Sequence, residues 1–181
     1  MVLSTAYFPN ISWIEAFKQG ARIEIHENYQ KQTARNRCRI MTASGSECLT
    51  VPLQHTGGVK VATCDVLIDY ATPWQRTHSR AVMAAYRSAP YWAHFEGLIM
   101  PLFDIHEKYL FDLNQKITER LLEVLKIDRE LVYTTRFVGA VTPPRTTSPE
   151  YYQTFSDRLP FERDLSVIDA IFCEGKLPSE E

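Results

Sequence analysis

The chain has 181 residues, enough for one domain with a real core and short for two. Its 45% hydrophobic and 23% charged content excludes wholesale disorder, and a formal net charge of −2 excludes a global field that draws nucleic acid or an anionic membrane. No apolar run approaches the ~20 residues of a membrane span, and residues 1–9 lack the basic and apolar regions of a signal peptide, so a cytoplasmic location is expected.

Read in chain order, the first half is a series of short strands. Residues 2–5 form a first strand, and a short helix over 12–18 ends at Gly20. Residues 22–25 alternate charged and apolar side chains, the period of a half-buried strand. A polar stretch, 26–36, precedes alternation over 37–40, then turn residues Ser44-Gly-Ser46, then 47–53, which together predict a hairpin. Residues 61–68 read as a further strand after the glycine pair Gly57-Gly58.

The second half reads as amphipathic helices. Thr72-Pro-Trp-Gln75 has the form of a capping box with proline at the first helical position, predicting a helix to about residue 88. Asp104 and Glu107 suggest the start of a longer helix, with Ile105, Tyr109, Leu113, Ile117, Leu121 and Leu125 as a core stripe at i,i+4 spacing. Residues 131–135 return as a strand. The stretch 142–160 has four prolines and no periodicity, which suggests an irregular loop able to act as a lid. A last helix over 165–173 ends at Gly175, a suitable left-handed cap. The fold class expected is mixed α/β or α+β, one domain over 1–181.

Two constellations carry chemistry. Lys31, Arg35, Arg37 and Arg39 fall in an acid-free run, and the i,i+2 spacing of Arg37 and Arg39 puts both on one face of a strand. Adjacent guanidinium groups repel unless an anion lies between them, and phosphate or carboxylate matches their forked donors. Gln32 and Asn36 add neutral donors. The alternative is a solvated strand face whose arginines pair with Glu24, Glu27 or Glu47. On the helix from Thr72, Trp74, His78, Val82 and Tyr86 share the apolar face, opposite Arg76, Arg80, Met83 and Arg87. His78 is then either a core histidine with both nitrogens bonded or the floor of a pocket, where a neutral imidazole acts as general base and Asp69 orients it. The four cysteines (Cys38, Cys48, Cys64, Cys173) form no C-x-x-C pair, and His26-Glu27 lacks the second histidine of a zinc helix, so no metal site is predicted.

Four stretches together resemble the WbqC-like family: Ser4-Thr-Ala-Tyr-Phe-Pro9, His26 through Ile40, Asp69 through Arg80 with Tyr86 and Tyr91, and Leu165 through Phe172 with Gly175. The resemblance implies a bacterial protein associated with surface-polysaccharide and O-antigen synthesis, where acyl or aminoacyl transfer to an amino sugar has been suggested. It places Lys31, Gln32, Asn36, Arg37, Arg39, Pro73, Trp74 and His78 on matching positions. The chain departs from the family pattern at Ser4-Thr5, at His26 and at Ser79.

The leading expectation is therefore an enzyme acting on an anionic, nucleotide-linked sugar. Lys31, Arg37 and Arg39 hold the anion, Gln32, Asn36, Tyr7 and Trp74 shape the site, and His78 with Asp69 moves a proton. The sequence leaves any cofactor unknown, and oligomerisation is possible. The rivals are a non-catalytic binder of the same ligand and a structural protein with Tyr86, Tyr91, Trp92 and Phe95 as an aromatic interface.

Overall fold

The computed structural model describes residues 1–55, 57–141 and 149–178. Strand β1 (Val2–Ser4) leads through a tight bend into helix α1 (Ile11–Lys18), where Asn10 caps by accepting from the Trp13 amide at 3.0 Å. Strand β2 (Arg22–Glu24) returns parallel to β1, with Leu3 opposite Ile23. The segment around Tyr133 joins on the other side: the Ile23 amide donates to the Val132 carbonyl and the Thr134 amide to the Ile23 carbonyl. Only this single bridge forms there among the described residues, where the alternation over 131–135 had suggested a full strand.

Glu24 closes this layer. Its buried carboxylate accepts from the amides of His26, Val138 and Gly139 and from the Thr134 hydroxyl. Burial alone raises a carboxyl pKa, but these donors outweigh it and hold Glu24 below its ordinary value.

The hairpin lies where the alternation placed it. β3 (Arg37–Thr42) pairs antiparallel with β4 (Gly45–Thr50), and Gly45 at φ 105 supplies the positive φ the tight connection requires. Arg37 faces Thr50 and Arg39 faces Cys48 across the ladder. Residues 61–68 do not form the expected strand. They hold isolated bridges to Asn28, Leu53 and Tyr109, interrupted by a 3-10 turn, Thr63–Asp65.

Helix α2 (Trp74–Tyr86) buries Trp74, His78, Val82, Ala85 and Tyr86, the stripe read from the sequence. Its start differs: Pro73 is the N-cap, and Gln75 donates to the Ile105 carbonyl at 2.7 Å rather than completing a capping box. Helix α3 (Trp92–Ile99) was not anticipated, and a 3-10 stretch, Met100–Asp104, follows it. Consequently Asp104 ends a turn instead of opening the long helix. That helix, α4 (Leu110–Val124), begins after Tyr109, and Glu107 pairs with Lys116. Leu113, Ile117 and Leu121 are buried as the stripe requires.

Residues 149–160 carry no helix or strand, and 142–148 lie outside the described residues. Helix α5 (Val167–Glu174) ends in Gly175 at φ 72, the left-handed cap expected. Phe172 stacks on Tyr86 and packs against Trp92, so α2, α3 and α5 share one aromatic core. Tyr86, Phe95 and most of Trp92 are spent in core packing, so of the four aromatic residues read as an interface Tyr91 alone is exposed.

Candidate functional site

A pocket of about 290 Å³ opens where the β1–α1 bend, the 32–34 turn, the hairpin and the start of α5 meet. Its walls include Tyr7, Phe8, Asn10, Gln32, Arg37, Arg39, Cys48, Asp164 and Ser166. Backbone hydrogen bonds tie these distant segments together: Tyr7 amide to Ala34 carbonyl at 2.9 Å, Ser166 amide to Arg39 carbonyl at 2.8 Å, Val167 amide to Pro9 carbonyl at 2.9 Å.

Three wall residues, Phe8 (φ 41), Gln32 (φ 59) and Asp164 (φ 58), are among five non-glycine residues with positive φ in the described chain. A buried phenylalanine in that region is costly, of the order of 1–3 kcal/mol, and persists only where surrounding contacts over-determine it. Backbone strain of this kind clusters at functional sites, which makes this pocket the candidate site.

The cations divide sharply. Arg35 is buried and makes a bidentate pair with Glu27, at 2.9 and 2.7 Å, so it is structural. Arg39 is half-exposed, pairs with Glu162 and donates to Ser46 Oγ at 2.8 Å. Arg37 makes no ion pair among the described residues, and its Nε is buried without a hydrogen-bond partner. Lys31 is exposed and outside the pocket wall. The one carboxylate in the wall, Asp164, is engaged by Asn10 Nδ2 at 2.8 Å and the Ser12 amide at 2.9 Å.

Several expected site residues lie behind the wall instead. Asn36 is buried, accepting from Tyr29 Oη at 2.9 Å and donating to the Val51 carbonyl at 2.9 Å. Trp74 packs edge-on against Tyr7 and His78. His78 Nδ1 lies 2.9 Å from Tyr7 Oη, and the ring also hydrogen-bonds the Thr50 backbone. A carbonyl only accepts, so the nitrogen facing it carries the proton and Nδ1 accepts from Tyr7. Burial lowers the His78 pKa to about 4, so the ring is neutral at pH 7. Asp69 does not reach it: its Oδ1 accepts from the Ala71 amide at 2.8 Å in the turn before α2. The structure thus brings together Tyr7, Gln32, Arg37 and Arg39 at one cavity, with His78 one hydrogen bond behind it.

Sequence reasoning missed Asn10, Cys48, Asp164 and Ser166 as wall residues. None carried a local signal, because an Asn or Ser before a helix reads as a cap and the pocket forms only when residues far apart in the chain meet.

A larger hollow of about 500 Å³ beside α4 carries Glu119, Glu123, Asp128 and Glu130 against Arg129, which disfavours an anion there.

The strained bend, the unpaired Arg37 and the mixed fold define a small α/β protein with two arginines in the wall of one pocket. The chain belongs to the WbqC-like protein family, whose model matches residues 5–146. That range takes in Tyr7, the arginine segment and His78 and stops before α5. The chain is similar to the uncharacterized protein Rv1507c of Mycobacterium tuberculosis, at 30% identity over 127 residues. That alignment covers 69% of this chain and 52% of the relative, so the chain spans about half the relative's length. No solved structure matches.

Proposed function

We propose that the pocket binds the phosphate or carboxylate end of a small anionic molecule, a nucleotide-linked amino sugar of bacterial surface-polysaccharide metabolism. The observation that carries this reading is Arg37, a guanidinium on the wall whose buried Nε has no partner. A buried donor held in that state is costly unless a ligand completes it. Arg39 adds a second cation whose pairing with Glu162 is half-exposed and therefore weak enough to be exchanged. Tyr7, Gln32 and Asn10 supply orienting groups, and family membership supports the substrate class. At about 290 Å³ the pocket takes one end of such a ligand rather than wrapping it.

Isothermal titration with uridine diphosphate N-acetylglucosamine, and with uncharged N-acetylglucosamine as control, tests this. The charged ligand should bind and the control should not. Arg37→Gln should weaken binding tenfold to about a hundredfold, the worth of a charge-assisted hydrogen bond, at an unchanged melting temperature. Equal affinity in wild type and variant sinks the reading.

A second reading, acyl or aminoacyl transfer to the bound sugar, is favoured by the Tyr7–His78 pair. A substrate proton taken by Tyr7 oxygen would be matched by transfer of the Tyr7 proton to His78 Nδ1. Against it, a ring with a pKa near 4 is a weak base. Mass spectrometry of a uridine diphosphate amino sugar incubated with acyl- and aminoacyl-thioester donors separates the two. Product that disappears in Tyr7→Phe while binding persists would establish transfer; absence of product with all donors leaves binding alone.

A further inference from the structure

The first turn of α5 holds a hydroxyl that the fold leaves unused. Ser166 is 1% exposed and lines the pocket, and its Oγ has no hydrogen-bond partner. A serine before a helix ordinarily turns its hydroxyl onto an amide two or three residues on. Ser166 occupies that N-cap position of an eight-residue helix and makes no such bond. Buried hydroxyls are nearly always paired, so this one requires an explanation.

The surrounding backbone holds it in place. The Ser166 amide donates to the Arg39 carbonyl at 2.8 Å, the neighbouring Val167 amide to the Pro9 carbonyl at 2.9 Å, and the Leu165 carbonyl accepts from the Ile11 amide at 3.2 Å. Asp169, three residues on, fixes the helix rotation. Its carboxylate accepts from Tyr86 Oη at 2.8 Å, Tyr151 Oη at 2.6 Å and Gln153 Nε2 at 3.0 Å. In the same pocket the Arg37 Nε is the other buried, unpartnered polar atom. The start of α5 adds the partial positive charge of a helix N-terminus.

We infer that Ser166 Oγ and the Arg37 side chain, at the positive end of α5, form one oxyanion site that holds a phosphate or carboxylate oxygen of the ligand. The inference rests on the anion-binding reading above and assigns it a second donor, in a segment beyond residues 5–146. Asp164 is the one carboxylate in the wall, its oxygens are turned onto the start of α1, and Arg37 and Arg39 outnumber it. The hydroxyl left unpaired in the fold is then a stability cost retained for binding.

Titration of the full chain with inorganic phosphate, uridine diphosphate and acetate tests the site. Phosphate and uridine diphosphate should bind, and Ser166→Ala should weaken them about tenfold while its melting temperature stays level or rises. Ser166→Thr, which keeps the hydroxyl, should restore most of the affinity. Acetate binding with the same dependence on Ser166 identifies a carboxylate as the natural end group; binding of phosphate alone identifies a phosphate. Wild-type affinity in Ser166→Ala, with affinity lost in Arg37→Gln, overturns the role of Ser166 and leaves the anion pocket standing. A marked fall in the Ser166→Ala melting temperature also overturns it, since the hydroxyl would then have a partner in the fold. No binding of any anion by wild type removes both readings together.

Discussion

His78 joins α2 to the hairpin through Thr50 and to the pocket wall through Tyr7. Both ring nitrogens are used, so His78→Ala should cost about 1–3 kcal/mol of folding free energy by leaving the buried Tyr7 hydroxyl without its partner, read by urea denaturation. Burial of the ring sets a pH dependence. The folded ring has a pKa of about 4 against an ordinary 6.5, so the unfolded chain binds the proton more tightly. Stability is therefore full above about 6.5 and is lost as pH falls toward 4, by about 3 kcal/mol at most. His78→Gln should flatten that part of the profile. Thiol labelling gives an independent residue-scale test. Cys48 is exposed at the pocket, while Cys38 and Cys173 are buried with their thiols pushed up by burial. Iodoacetamide should modify Cys48 well before those two, and a bound anion should slow it; faster loss of Cys38 would contradict the described wall. At this scale the sequence made the shared face of Arg37 and Arg39 legible through their spacing. It did not separate Arg35 from them, because the Glu27 pairing depends on how the 26–36 loop folds back.

Gly175 shows why α5 ends where it does. Its φ is 72, and a Cβ there would meet the Tyr91 ring at 2.7 Å. Gly175→Ala should therefore destabilise by more than the ~1 kcal/mol of a left-handed alanine alone, since α3 must also shift. A melting temperature within a degree of wild type would show that Tyr91 moves freely. The hairpin, α2 and α5 were legible because strong local signals agreed: period-two alternation, an i,i+4 apolar stripe, and a glycine after the last buried turn. The segment 61–68 and the Asp104 start were not. The first has strand-like composition but is held by scattered bridges, and the second has capping residues in a turn that Pro101 bends into a 3-10 form. Tertiary packing overrode propensity in both.

Across the whole molecule, α5 completes a core begun by α2 and α3, far earlier in the chain. Val167, Ile168, Ala170, Ile171 and Phe172 are fully buried, with Tyr86 and Trp92 packed on Phe172. A chain cut after residue 146 should lose its cooperative thermal transition even though it retains the whole family-matched range. Differential scanning calorimetry that recorded a sharp transition for the fragment would show that α5 is an appendage. The mixed single-domain architecture was readable from the order of strand-like and helix-like segments, whereas the pocket was not, since no local pattern states which loops will face one another.

The stitching of Pro9 and Arg39 to the start of α5 has a consequence in time. A growing polypeptide leaving the ribosome at about 5–20 residues per second exposes Arg37 long before Ser166 exists to meet it. The pocket therefore cannot close until synthesis has passed Ser166. A half-made chain presents Arg37 and Arg39 without the wall that the start of α5 provides, so a closed pocket reports that synthesis has passed Ser166 and that the segments far apart in the chain have met.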